Sequence, residues 1–144
     1  VLQTVSPTLP WRRIVLSERR DVYCLVDAAD YEWLSQWRWN IGWHAKTKWK
    51  FYAKRNTGRA RLTVYMHREI LLRHTGATSD FAGAHHGHHM NGQSLDNRWS
   101  ANLAWLAPEQ NAAIKVRRHE IPTLDEIEAR LMNEAGLEMA DVPF

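Results

Sequence analysis

Four histidines fall within five residues, His85, His86, His88 and His89. Imidazole transfers protons near neutral pH and ligates divalent metals. Composition by itself leaves metal ligation and a solvated histidine-rich loop equally open. The order of the downstream residues separates the two. Asn91-Gly92 marks a tight turn directly after the histidine pair, and Leu95-Asp96-Asn97-Arg98 closes a polar loop. Asn102-Leu103 opens another apolar segment, and Asn111 falls in the first turn of a basic helix expected from Pro108.

The succession His88-His89-Met90-Asn91-Gly92-Gln93-Ser94-Leu95-Asp96-Asn97-Arg98, then Asn102-Leu103, then Asn111 resembles the motif of HNH endonucleases. Its usual form runs Asp or His, His, one residue, Asn-Gly, two residues, Leu-Asp-Asn-Arg, then Asn-Leu and a final Asn or His. Upstream, Val26-Asp27-Ala28-Ala29-Asp30-Tyr31-Glu32-Trp33-Leu34, Phe51-Tyr52-Ala53 and Tyr65-Met66-His67-Arg68 resemble the phage and homing-type branch of that family. The resemblance spans roughly residues 22–114.

It implies a ββα-metal finger and a metal-dependent DNA endonuclease that nicks or makes double-strand breaks. His89 matches the general base, whose unperturbed pKa lies near the working pH. His88 and Asn111 match the two protein ligands of one divalent cation. Asn102 matches the central Asn, which braces the loop and holds the His89 ring. One cation on two protein ligands keeps positions open for phosphate oxygens and water. Mg²⁺ is the expected ion. His88 in place of a carboxylate softens the site, so Mn²⁺, Ni²⁺, Co²⁺ or Zn²⁺ is tolerable. The interval from His89 to Asn102 is one residue longer than the usual spacing, with Ala101 extra, which predicts either a bulge in the second strand or a bracing role that falls on another residue.

The remaining polar residues have plainer expectations. His85 and His86 are solvated loop residues, His67 packs beneath the finger, and Asp96 and Asn97 make turn-forming backbone hydrogen bonds. Arg98 is divided evenly between a phosphate contact and a loop brace. Lys46, Lys48, Lys50, Lys54, Arg55, Arg59 and Arg61 crowd a strand-and-turn region around Tyr52. Beside a nuclease finger this reads as a DNA-tracking β surface, since a β ribbon enters the major groove. Arg98, Lys115, Arg117 and Arg118 complete the candidate DNA contacts. Trp33, Trp37, Trp39, Trp43 and Trp49 fit packing better than base stacking.

The elements that position these residues are set by periodicity and punctuation. Residues 1–20 read as an arm or edge element with little core of its own. Residues 21–27 read as a strand, and Asp30 caps a short helix through Trp37. Strands are expected over 39–43, 49–54 and 61–65, with a turn at Ala45–Lys48, and a second helix over 65–74. A loop is expected over 76–83, a hairpin with a long polar turn over 84–106, a helix over 108–118 and a last helix capped by Thr123 or Asp125. The class is α+β: a small antiparallel β-region with helices, then the finger, then a C-terminal helix. The divisions are 1–20 arm, 21–75 β-rich DNA-binding region, 76–118 finger and 119–144 helical tail.

Bulk properties agree. In 144 residues, a hydrophobic fraction of 44% with eight Trp is enough for a real core, which excludes disorder. A net charge of +3 suits a polyanion. The single cysteine, Cys24 in an apolar run, excludes an internal disulfide and a multi-cysteine zinc site. No stretch reaches the ~18 apolar residues of a membrane span. No charged-then-apolar leader opens the sequence, so a cytoplasmic place in a bacterial or phage-infected cell is expected. Val1 stands where a Met would, which leaves room for a longer parent. DNA is the expected partner of a monomer or homodimer, or of a nuclease module in a larger assembly. The alternative is a nucleic-acid-binding module that keeps the finger without cleaving.

Overall fold

The computed structural model describes residues 9–44, 49–59 and 61–138. Most of the first turn signals of the arm (residues 1–8), the turn at Ala45–Lys48 with Lys46 and Lys48, and residues 139–144 lie outside the described residues. In chain order the elements are β1 (Trp11–Ser17), β2 (Val22–Asp27), α1 (Ala28–Ser35), β3 (Asn40–Trp43), β4 (Phe51–Thr57) and β5 (Leu62–Tyr65). They continue with α2 (Met66–Thr75), α3 (Ser79–Ala84), β6 (His86–His89), β7 (Asp96–Asn97), α4 (Trp99–Asn102), β8 (Leu103–Leu106), α5 (Pro108–Ala113) and α6 (Leu124–Ala135). A 3₁₀ turn at Arg118–Glu120 precedes α6. The class is mixed α+β.

The apolar run at Val22–Val26 has to be covered on both faces, and it becomes the central strand of a sheet ordered β1-β2-β7. Cys24 and Val26 face the main core with Ile14, Leu34, Met66 and Ile70, while Leu25 faces a second core with Trp11, Ile127 and Met132. The segment is an edge element, as β1 borders this sheet, but the expectation of little core is corrected: β1 pairs with β2 from Trp11 to Ser17 and buries Trp11, Ile14 and Leu16. The Arg12-Arg13 pair interrupts its alternation, which hid the strand. A buried carboxylate fastens α6 over the second core. Glu128, 1% exposed, accepts from Trp11 Nε1 at 3.1 Å, Arg13 Nε at 2.9 Å and Tyr23 OH at 2.7 Å. Thr123 caps that helix by accepting from the Glu126 N–H.

The second sheet is the antiparallel meander β3-β4-β5, and the third is the antiparallel pair β6-β8. Helix α2 packs against β4, β5, β6 and β8, joining these two sheets. Helix α5 comes after β8 and packs on both β6 and β8. The β6-β8 register runs unbroken from His86↔Leu106 to His89↔Leu103, so the expected bulge is absent. The single turn α4 takes up the extra residue instead.

Three further expectations change. Helix α1 begins after Asp27, and Asp30 lies inside its first turn, buried and bonded to His74 Nε2 at 2.8 Å. The expected loop at 76–83 contains α3. Thr78 caps it, and Arg68 of α2 donates to Ala82 O and His85 O at its end, a support from outside the segment. Helix α5 stops at Ala113 rather than 118, so Lys115, Arg117 and Arg118 are not its last turn. No residue of α5 is buried, and Val116 beyond it packs near the Gly92 turn. No described helix is long and apolar enough to cross a membrane.

Candidate functional site

His88, His89 and Asn111 line one cleft of about 550 Å³. Strand β6 carries the two histidines to its floor, and α5 brings Asn111, its half-buried residue, over them. The turn that reverses the chain after β6 closes through Gly92 N–H donating to His89 O at 2.9 Å. Glycine is required at this point for two reasons. Its φ is +81°, and a Cβ would lie 3.0 Å from both Ile121 Cγ1 and Val116 Cγ1.

His89 is buried, and burial pushes its pKa down to about 4, with Lys50 and His88 acting the same way and Asn97 and Asp96 opposing. The ring is neutral at pH 7. Its Nε2 lies 2.7 Å from Asn97 Oδ1. An amide oxygen only accepts, so Nε2 carries the proton and the lone pair stands on Nδ1. The Asn97 amide is itself oriented, because its Nδ2 donates to Met66 Sδ at 3.4 Å. A base with one nitrogen pinned and the other free is the result.

The expected hold of Asn102 on His89 is therefore made by Asn97. Asn102 braces the loop only: its Oδ1 accepts from Asn91 N–H at 2.8 Å and its Nδ2 donates to Asp96 O at 2.8 Å. Asn97 is 1% exposed. It lies in a strand of two residues paired in parallel with β2, too short to leave a periodic signal, and its place in the sequence points only to the turn.

His88 Nε2 is buried with no hydrogen-bond partner among the described residues. Burial, then Lys50, pushes this imidazole down in pKa, which keeps it in the neutral form that ligates metals. An unpartnered ring nitrogen facing a cleft that also holds an Asn amide fits a divalent cation with two protein ligands. Among the described residues no group of three or more His, Cys, Asp or Glu is arranged around a metal position.

The walls of the cleft are distinctive in charge. Lys50 and Lys115 line it, and none of its described lining residues is Asp or Glu. Lys50 is half-buried, its pKa lowered by burial, and its Nζ lies 5.7 Å from the Tyr52 ring centroid. Tyr52 stacks on His67 at 5.6 Å, and His67 meets His89 at 4.7 Å between centroids. Gly87 admits this packing, since a Cβ there would lie 2.8 Å from His67 Cδ2. His85 stacks on Phe81 at 3.7 Å, outside the cleft, whereas His86 lines it.

The basic residues divide sharply. Tyr52 and Lys54 share one face of β4, with Lys54 lying across Gly42, where a Cβ would meet its Cδ at 2.7 Å. Arg59 and Arg61 are exposed in the β4–β5 turn, and Arg117 is exposed beyond α5. Arg118 covers the Trp49 ring at 4.5 Å. Two expected DNA contacts are used internally. Arg55 turns to the other face of β4, bonds Glu69 at 2.8 Å and sits 4.2 Å from the Trp37 ring. Arg98 places Nε and Nη2 on the fully buried Asp96 carboxylate at 2.7 and 2.8 Å, which makes it the loop brace.

Comparison of the chain with family models, with curated proteins and with solved structures found no match.

Proposed function

We propose that this chain is a metal-dependent DNA endonuclease of the HNH type, with β6, β8 and α5 as its ββα-metal finger. The reading rests on the motif order and on one observation above all: His88, His89 and Asn111 converge in a cleft that carries two lysines and no described carboxylate. Such a cleft attracts an anion and offers it a neutral base.

His89 takes the proton of the attacking water at Nδ1 while Nε2–H stays on Asn97. At a pKa of about 4 the ring is always ready to accept but is weakly basic. A phosphodiester anion in the cleft opposes the burial effect and restores basicity as substrate binds. Lys50, a lining residue of the same cleft, meets the phosphate oxygens. His88 and Asn111 would hold the divalent cation, Mg²⁺ or a borderline ion such as Mn²⁺, Ni²⁺ or Zn²⁺. When bound, that cation supplies charge relief on the phosphate and on the departing oxygen. Tyr52, Lys54, Arg59 and Arg61 extend a DNA-tracking face from the cleft along the meander.

The test is incubation of supercoiled plasmid with Mg²⁺, with Mn²⁺ or with chelator. Relaxed or linear product is expected only with metal, and none from His89→Ala. Because His89 is buried, Asn111→Ala on the surface helix serves as the second variant, with circular dichroism checking its fold. Cleavage that persists in chelator, or in both variants, overturns the assignment.

A further inference from the structure

A second cavity of about 340 Å³ adjoins the cleft and shares Trp49, Lys50, Gly92 and Ile121 with it. Its chemistry is different. Beyond the shared wall it is lined by Tyr23, Phe51 and Leu124, with Asp125 as an exposed carboxylate at its edge. Its other polar groups are already engaged: Ser94 Oγ donates to Phe51 O, and Gln93 Nε2 donates to Pro122 O at 2.9 Å. The two spaces thus present, side by side, an imidazole-and-amine cleft without described acids and an aromatic cavity with one carboxylate.

A nucleotide has the same division. Its phosphate is anionic, and its base, one sugar away, is a flat apolar ring with N–H donors on the edge. Bases leave the stack to enter such pockets between aromatic and apolar side chains. The volume stands near the lower end of ligand pockets, about 300 Å³, which suits one base and not a strand. Trp49 is 38% exposed where the spaces meet, and Arg118 packs over its ring. Tryptophan so placed stacks an unpaired base. Asp125 repels phosphate but accepts from a base edge, favouring guanine, which sets two N–H donors side by side.

We infer that this cavity is a nucleobase pocket, which receives an unpaired base beside the phosphodiester held at Lys50. The inference rests on the nuclease reading of the adjoining cleft. The favoured substrate is consequently DNA with an unpaired nucleotide, not a perfect duplex.

Binding in chelator, where no cleavage step is needed, tests this directly. Fluorescence anisotropy would compare a perfect DNA duplex with the same duplex carrying a one-nucleotide guanine bulge. The wild type is expected to bind the bulge about tenfold more tightly. Trp49→Ala should abolish that preference, read as the ratio of bulge to duplex affinity in the same variant, and Trp49→Phe should restore part of it. Equal affinities in the wild type, or a preference that survives Trp49→Ala, overturns the pocket alone and leaves the nuclease reading standing. Absence of binding to either DNA overturns both.

Discussion

Burying His89 and His67 as neutral rings ties stability to pH. The ordinary histidine pKa is 6.5, and in the fold that of His89 is about 4. His67 is also pushed well below 6.5, by burial first and then by His89, Arg68 and Lys50 around it. Between these values the unfolded chain binds protons that the folded chain refuses. Stability is therefore fully present above pH 6.5 and is lost as pH falls towards 4. For His89 the shift corresponds to about 3 kcal/mol in all, with about 2 kcal/mol gone by about pH 5. His67 adds to the loss in the same direction, a large share of the ~5–15 kcal/mol that holds a domain together. The assay is urea unfolding monitored by tryptophan fluorescence at about pH 7.5 and about pH 5, in chelator so that metal binding does not compete. His67→Gln removes one of the two titrating rings and should reduce the pH dependence. Equal stability at both pH values would refute the reasoning, because burial without protonation linkage is impossible for these groups.

Asn97→Ala should lower kcat about tenfold to a hundredfold with KM little changed, since the orientation of His89 is lost. An unchanged kcat would remove Asn97 from the site. Glu128→Ala removes a buried acceptor shared by Arg13, Trp11 and Tyr23 beneath α6, at on the order of 3 kcal/mol. Thermal melting reads this, and an unaltered Tm would contradict the latch. The pair Lys50→Ala with Lys54→Ala should weaken DNA binding and lower the slope of log affinity against log salt by about two. An unaltered slope would reject the meander face as the DNA surface.

Much of this was legible along the chain. The strand at Val22–Asp27, the meander strands, the helix at Met66–Thr75, the Thr123-capped last helix and the Asn91-Gly92 turn all announce themselves through periodicity, caps and glycine. These features are governed by free energies between residues close in sequence. The set His88, His89 and Asn111 is implied by the resemblance and not by periodicity, and all three line one cleft.

Which polar group meets which was not legible in that way. Asn97 rather than Asn102 holds the base because β7 is placed by pairing with β2, some seventy residues earlier. Arg55 leaves the DNA-facing set because Glu69 of α2 is packed within reach, whereas the Arg98–Asp96 brace is local and was one of two even expectations. Helix α3 exists because Arg68 satisfies its end, and β1 belongs to the core because β2 needs a cover on both faces. A buried donor or acceptor must find a partner wherever folding puts one. That partner is chosen by the assembled packing, over distances on which sequence neighbours exert no preference.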